Sequence, residues 1–247
     1  MLKVLSPIWL TKEETARRVK QRIKTVLDWA KAAGYRSGEN PVDGVVKGLP
    51  KQKRKKNHHA ALPYKNTPDF IDRIGASDNS LSAKLAFQFL ILTATRTDEV
   101  LGLTWDEIDG DVWTLPANRT KPKREIQIPL GPRCLELLAQ ARVLSGGKNY
   151  VFPGSIEGKP LSNMVFLMAL RRMELGYRVT GHGFRSTFTD WAHETTNFPR
   201  VVVEKALNHA IQDKTEAAYR RGELFDKRRE LMLAWDSYCY SATPDQT

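Results

Sequence analysis

Between Gly44 and Asn66 the chain carries no acidic residue, while Lys47, Lys51, Lys53, Arg54, Lys55, Lys56 and Lys65 crowd around Pro50 and Pro63. Like charges repel and proline withholds a backbone donor, so such a stretch resists joining a packed core. It reads as a linker over residues 47–66, separating a short unit, residues 1–46, from a long one, residues 67–247. A basic linker can be a solvated tether, or it can track a phosphate backbone. The charge pattern alone leaves both open.

In the short unit Thr11 and Glu14 have the spacing of a capping box, and Val19, Ile23, Val26 and Ala30 recur at helical spacing behind them. The first ten residues offer only a short extended or turn segment to cover that apolar face. The helix is therefore expected to end a small helical domain whose beginning precedes this sequence.

The long unit reads as α+β, mostly α. Thr67 and Pro68 suit the start of a helix over PDFIDRI, and an apolar helix is predicted from about Ser82 to Leu92. DVWTLP and REIQIPL alternate as a short antiparallel hairpin, with a further short strand at YVF. Helical patterns then follow at SNMVFLMALRRM, GFRSTFTDWAHET, PRVVVEKALNH, KTEAAYRR and FDKRRELMLAWDSYCY. No internal repeat supports a solenoid or propeller.

A net charge of +11 favours a polyanionic partner. Cys134 and Cys239 lie far apart without metal-ligand spacing, which suggests neither a disulfide framework nor a zinc site. No apolar run reaches a membrane span and no leader pattern opens the chain, so a cytoplasmic protein without membrane contact is expected.

Three blocks carry candidate chemistry: TATRTDEVLGLTW around Arg96, TGHGFRSTFTDWA around His182 and Arg185, and ALNHAIQDKTEAAYRR around His209 and Tyr219. Breaking a phosphodiester without a metal needs a nucleophile, fixed positive charge on the phosphate and an acid for the departing oxygen. Two guanidiniums, each donating parallel hydrogen bonds, suit the non-bridging oxygens. Histidines that titrate near neutrality can donate to the same phosphate or handle protons. A phenol with an ordinary pKa of about 10 would be activated by the surrounding charge.

Taken singly these motifs are weak; in this order and spacing they resemble the tyrosine recombinase, or phage integrase, family. Arg96 with Glu99 three positions on, His182 with Arg185, Leu207 with His209, and Tyr219 ten residues later follow its pattern. The run from His209 through AAYRR to RRELM looks most like the branch that includes the P4 phage integrase. The resemblance spans roughly residues 60–240. Asp98 and Asn208 stand where that family usually has glycine.

The resemblance implies a catalytic domain with a small antiparallel sheet, preceded by part of a helical, SAM-like core-binding domain. It implies Arg96, Lys121, His182, Arg185, His209 and Tyr219 as catalytic residues and Glu99 as the group that orients Arg96. Attack by Tyr219 would leave a 3′-phosphotyrosyl link while Lys121 protonates the 5′ oxygen; Lys123 is its competitor. No cofactor or metal is implied. Expected partners are double-stranded DNA attachment sites, a homotetramer on two of them from monomers in solution, and accessory DNA-bending or excision factors. Lys51, Lys53, Arg54, Lys55, Lys56, Lys123 and Arg124 are candidate DNA contacts.

Plainer readings accompany each residue. Tyr219 could pack one face of its helix, although Arg220 and Arg221 beside it argue otherwise, and Tyr177, Tyr238 and Tyr240 are rival nucleophiles. Arg96 and Glu99 could be a surface ion pair, and His58, His59 and His193 match nothing in the pattern. Leu231, Ala234, Trp235 and Tyr238 form a stripe that fits the chain's own core or a neighbouring protomer. A type IB topoisomerase and a catalytically idle DNA-binding regulator are the functional alternatives.

Overall fold

The computed structural model describes residues 1–52, 60–120, 122–176, 178–209 and 224–241. The chain divides into two compact units, Met1–Asn57 and His58–Thr247.

The first unit corrects the reading of the N-terminus. Leu2–Trp9 forms helix α1 rather than an extended segment, and its Leu5 and Trp9, four apart, are buried with Ala16 of α2, Glu13–Ala32. Pro7 inside a helix of only two turns masked its periodicity. The capping box does not form either. Thr11 Oγ1 donates instead to the Pro7 carbonyl at 3.0 Å, satisfying the end of α1, and α2 starts at Glu13 behind Lys12 without a side-chain cap. Val26 and Trp29 stay 60% and 62% exposed.

Helix α3, Pro41–Lys47, closes this unit. The supposed linker is held at both ends. The Trp9 indole donates to the Pro50 carbonyl at 2.7 Å and Gln52 to the Trp9 carbonyl at 2.6 Å. Further on, Leu62 is buried in the core of the second unit, and the Ala60 carbonyl accepts from the Thr180 amide at 3.0 Å.

In the second unit α4, Thr67–Ala76, precedes α5, Leu81–Thr93. Ser80 caps α5 by accepting from the Ala83 amide, and every residue from Ser82 to Thr93 except Lys84 is buried, as befits a helix apolar on all sides. Short α6, Thr97–Leu101, leads to a three-stranded antiparallel sheet: β1 Ile108–Asp109, β2 Val112–Leu115 and β3 Ile126–Pro129. Trp113 opposite Ile128 and Leu115 opposite Ile126 turn one face inward, the alternation legible in both segments. YVF makes no strand; Tyr150 forms a single bridge to Thr104, and Pro153 limits extension of the ladder.

Helix α7, Pro132–Ser145, was not anticipated, although Cys134, Leu137, Leu138 and Ala141 bury at helical spacing. Its N-terminus is capped from afar: Asp236 Oδ2 accepts from the Arg133 amide at 3.1 Å. A β-carbon on Gly131 would stand 2.1 Å from that oxygen. Then come α8 Val165–Arg172, α9 Gly183–Thr195, α10 Arg200–Ala206 and α11 Phe225–Cys239.

The stripe on α11 packs within its own chain. Trp235 is fully buried, its ring centroid 4.9 Å from Trp191 and 5.5 Å from Phe188, and its indole donates to the Ile91 carbonyl at 2.9 Å. Trp235→Ala is expected to remove about 3–5 kcal/mol, a large share of the roughly 5–15 kcal/mol that holds a domain together. Urea denaturation followed by circular dichroism checks this; an unchanged midpoint would contradict it.

Among the described residues no helix is long and apolar enough to cross a membrane.

Candidate active site

The site forms where the ends of α5 and α10 and the starts of α6 and α9 meet. Ala94 ends α5 in the left-handed region, φ 49°, and its carbonyl accepts from Arg185 Nη1 at 2.6 Å. Arg96 follows in extended conformation at the head of α6. Glu99, 4% exposed, takes the Arg96 amide on Oε2 at 2.7 Å and Arg96 Nη1 on Oε1 at 2.9 Å. One carboxylate thus fixes both the backbone and the guanidinium of Arg96, which is more than a surface pair does.

Helix α10 ends in a Schellman turn. The Asn208 amide donates to the Lys205 carbonyl and the His209 amide to the Glu204 carbonyl, both at 3.0 Å, with Asn208 left-handed at φ 50°. This explains asparagine where glycine is usual, because asparagine is among the side chains that best tolerate that conformation. The turn aims carbonyls at the arginines: Leu207 O accepts from Arg185 Nη2 at 2.6 Å and Asn208 O from Arg96 Nη2 at 3.4 Å. Asn208 Oδ1 accepts from Arg124 Nη2 at 3.3 Å, which brings Arg124 beside the site.

Arg185, 5% exposed, is the centre of this arrangement, with Nη2 also 3.0 Å from His209 Nε2. Burial first, and then the nearby Arg96, push its pKa down to about 10; Glu99 and Glu204 oppose them. It stays charged at neutral pH. His209 Nδ1 lies 2.7 Å from Glu204 Oε2.

His182 stands exposed just before α9, one turn ahead of Arg185. Gly183 between them is required by close approach, since a β-carbon there would sit 2.2 Å from the Ala60 carbonyl oxygen.

Lys121, Tyr219 and the rival Tyr177 lie outside the described residues, as do Lys53, Arg54, Lys55, Lys56, His58 and His59. Lys123 is exposed, with Nζ 3.4 Å from the Asn118 carbonyl; Lys51 is exposed too. The hydroxyl of Tyr238 donates to the Tyr64 carbonyl, and that of Tyr240 bonds to Gln88 Oε1. Burial pushes both phenols up, Tyr240 strongly, which makes them poor nucleophiles. Asp98 is exposed on α6, away from the contacts that fix Arg96.

Sequence reasoning missed two residues. Glu204 carried a signal in its place one Schellman turn before His209. Arg119 carried none: its guanidinium pairs with Glu107, whose other oxygen accepts from the Trp113 indole at 2.9 Å, and Arg119 Nη2 donates to the Glu99 carbonyl at 2.6 Å. The brace ties the hairpin loop to α6 two residues before Lys121. It needs Gly102, where a β-carbon would stand 2.7 Å from Arg119 Nη2.

Among the described residues no group of three or more histidine, cysteine, aspartate or glutamate side chains is placed to hold a metal ion.

Comparison with known proteins matches the Phage integrase central domain over residues 1–45 and the Phage integrase family over residues 61–223. Prophage integrase IntA of Escherichia coli (strain K12) is 32% identical over 225 residues, covering 90% of this chain and 54% of that protein. The integrase of Enterobacteria phage P4 is 30% identical over 247 residues, covering 92% and 55%. The chain therefore spans about half the length of the curated relatives it matches. Among solved structures, a lambda integrase tetramer bound to a Holliday junction shares the fold at TM-score 0.63 and 17% identity, covering 85% of this chain and 60% of that one. The integrase from mycobacterium phage Brujita does so at TM-score 0.55 and 18% identity, covering 93% and 76%. With three motif blocks brought to one site and the family pattern matched across them, this chain belongs to the phage integrase family, in its P4-like branch.

Proposed function

We propose that this chain is the catalytic part of a site-specific DNA recombinase that integrates or excises a prophage or genomic island. The supporting observation is the convergence of Arg96, Arg185 and His209, from three separate blocks, on carbonyls and carboxylates that hold them in place. Arginine has five N–H donors. Among the described residues, Arg185 directs three at Ala94 O, Leu207 O and His209 Nε2, which leaves two for a phosphate. Arg96 and Arg185 clamp the scissile phosphate and stabilise the charge that grows on its oxygens during attack.

Tyr219 Oη attacks phosphorus as its proton departs, forming the 3′-phosphotyrosyl bond. The P–O5′ bond breaks, and Lys121 delivers a proton to the leaving 5′ oxygen. His182 and His209 supply hydrogen bonds and proton handling around the same phosphate. The covalent link keeps the phosphodiester's energy, so a 5′-hydroxyl from another duplex reverses the step. The partners are attachment-site DNA, three further copies on two such sites, and accessory DNA-bending or excision factors, in the bacterial cytoplasm. Lys51, Lys53, Arg54, Lys55, Lys56, Lys123 and Arg124 contact the backbone, and Arg124 also steadies the turn at Asn208.

The test incubates the chain with a nicked suicide duplex carrying the core site, with EDTA present. A detergent-resistant protein–DNA adduct is expected. Specific binding without adduct would instead support the idle regulator, and relaxation of supercoiled plasmid by the monomer the topoisomerase.

A further inference from the structure

We propose that Glu204 is a positioning residue that fixes His209 as its Nδ1–H tautomer and keeps the Nε2 lone pair turned toward Arg185 and the pocket.

A guanidinium only donates, so with Arg185 Nη2 at 3.0 Å, His209 Nε2 is the accepting nitrogen. A neutral imidazole then carries its proton on Nδ1, where the Glu204 carboxylate accepts it at 2.7 Å. The two neighbours act on opposite ring nitrogens and agree on one tautomer.

Local folding makes the meeting obligatory. In a Schellman turn the residues that exchange the longer backbone bond are brought side by side, and apolar side chains commonly fill that contact. Here they are Glu204 and His209, whose backbones share that bond and whose side chains share a second. Asn208, left-handed between them, makes the turn. The other Glu204 oxygen lies 3.6 Å from exposed Arg200 Nε, which leaves Oε2 to the histidine.

The consequence rests on the recombinase reading. With Nδ1 committed to Glu204, only Nε2 faces the reacting groups, and there it takes the proton released by Tyr219 in exchange for the hydrogen bond from Arg185 Nη2. The resulting imidazolium then donates from Nε2 to a phosphate oxygen while the carboxylate balances its charge. Without Glu204 the ring is free to hold its proton on Nε2 or to rotate.

Nitrogen-15 NMR of histidine-labelled protein tests this directly, with the His209 signals assigned from a His209→Gln sample. In the neutral ring, Nδ1 should give the protonated shift and Nε2 the unprotonated one. In Glu204→Ala the signals should move toward the opposite tautomer or the average. Adduct formation should slow about 10- to 100-fold, as when a ring-orienting partner is lost elsewhere, with DNA affinity unchanged. Glu204→Gln, whose amide oxygen still accepts from Nδ1, should recover part of the rate. A wild-type Nε2–H tautomer overturns the proposal and needs no variant to be seen. So does a Glu204→Ala protein with unchanged tautomer and rate. If the wild type shows the expected tautomer but forms no adduct, the assignment of Glu204 stands and the recombinase reading fails.

Discussion

Tyr219→Phe is expected to reduce the covalent protein–DNA adduct to background while leaving affinity for the duplex unchanged. The substitution removes one oxygen, and a phosphotyrosyl bond cannot form without it. The ring remains, so the change is confined to the hydroxyl. Two of the rivals are poorly placed to take over. Tyr238 and Tyr240 spend their hydroxyls on Tyr64 O and Gln88 Oε1, and burial raises both phenols above the ordinary value. In the sequence, Tyr219 follows His209 by ten residues and is succeeded by Arg220 and Arg221. The nicked-duplex assay in EDTA, run beside a gel-shift titration, separates bond formation from binding. An adduct at the wild-type rate in Tyr219→Phe would move the nucleophile elsewhere.

The pairing of Arg96 with Glu99 and the place of Arg185 one turn after His182 were legible because they depend on local spacing. Arg96 and Glu99 are the N-cap and third residue of α6, His182 and Arg185 hold the same positions on α9, and the local geometry of a helix start keeps each pair close. What tertiary packing decides was not legible. That Arg185 is buried follows from α5 and α10 delivering the carbonyls of Ala94 and Leu207 to it, 91 and 22 residues away. Arg119 grips α6 from a loop 20 residues on, and no periodicity signals such a brace. Glu204 lay between these cases: its meeting with His209 is local, but it needs a left-handed residue, and Asn208 read as a departure from pattern rather than as the residue that makes the turn. Helix α1 was hidden by Pro7, which disguises a two-turn helix as a turn. The basic charge of residues 47–66 is plain in the sequence, yet Pro50, Gln52 and Leu62 are pinned by contacts that only the folded units create.

Arg185→Lys should slow adduct formation by about 10²–10³-fold, the usual loss when a preorganised donor to transition-state charge is removed. The guanidinium is a planar fork that reaches Ala94 O, Leu207 O and His209 Nε2 and still has N–H groups to offer. An ammonium is a point with three donors on a differently shaped stem and cannot span the same partners. Alanine is the poorer test, because it strands two buried carbonyls at about 1–3 kcal/mol each and confuses catalysis with stability. Lysine also carries a pH signature. Burial brings Arg185 down to about 10, so the wild-type site keeps this charge through pH 9. A lysine begins near 10.4, and the same desolvation acts on it from that lower start. Its charge should therefore be lost as pH rises from neutral to mildly alkaline, and the variant's deficit should widen over that range. Adduct rates for both proteins at pH 7 and pH 9, normalised to DNA bound, decide the matter. A constant ratio would mean that residue 185 contributes shape rather than charge to the site.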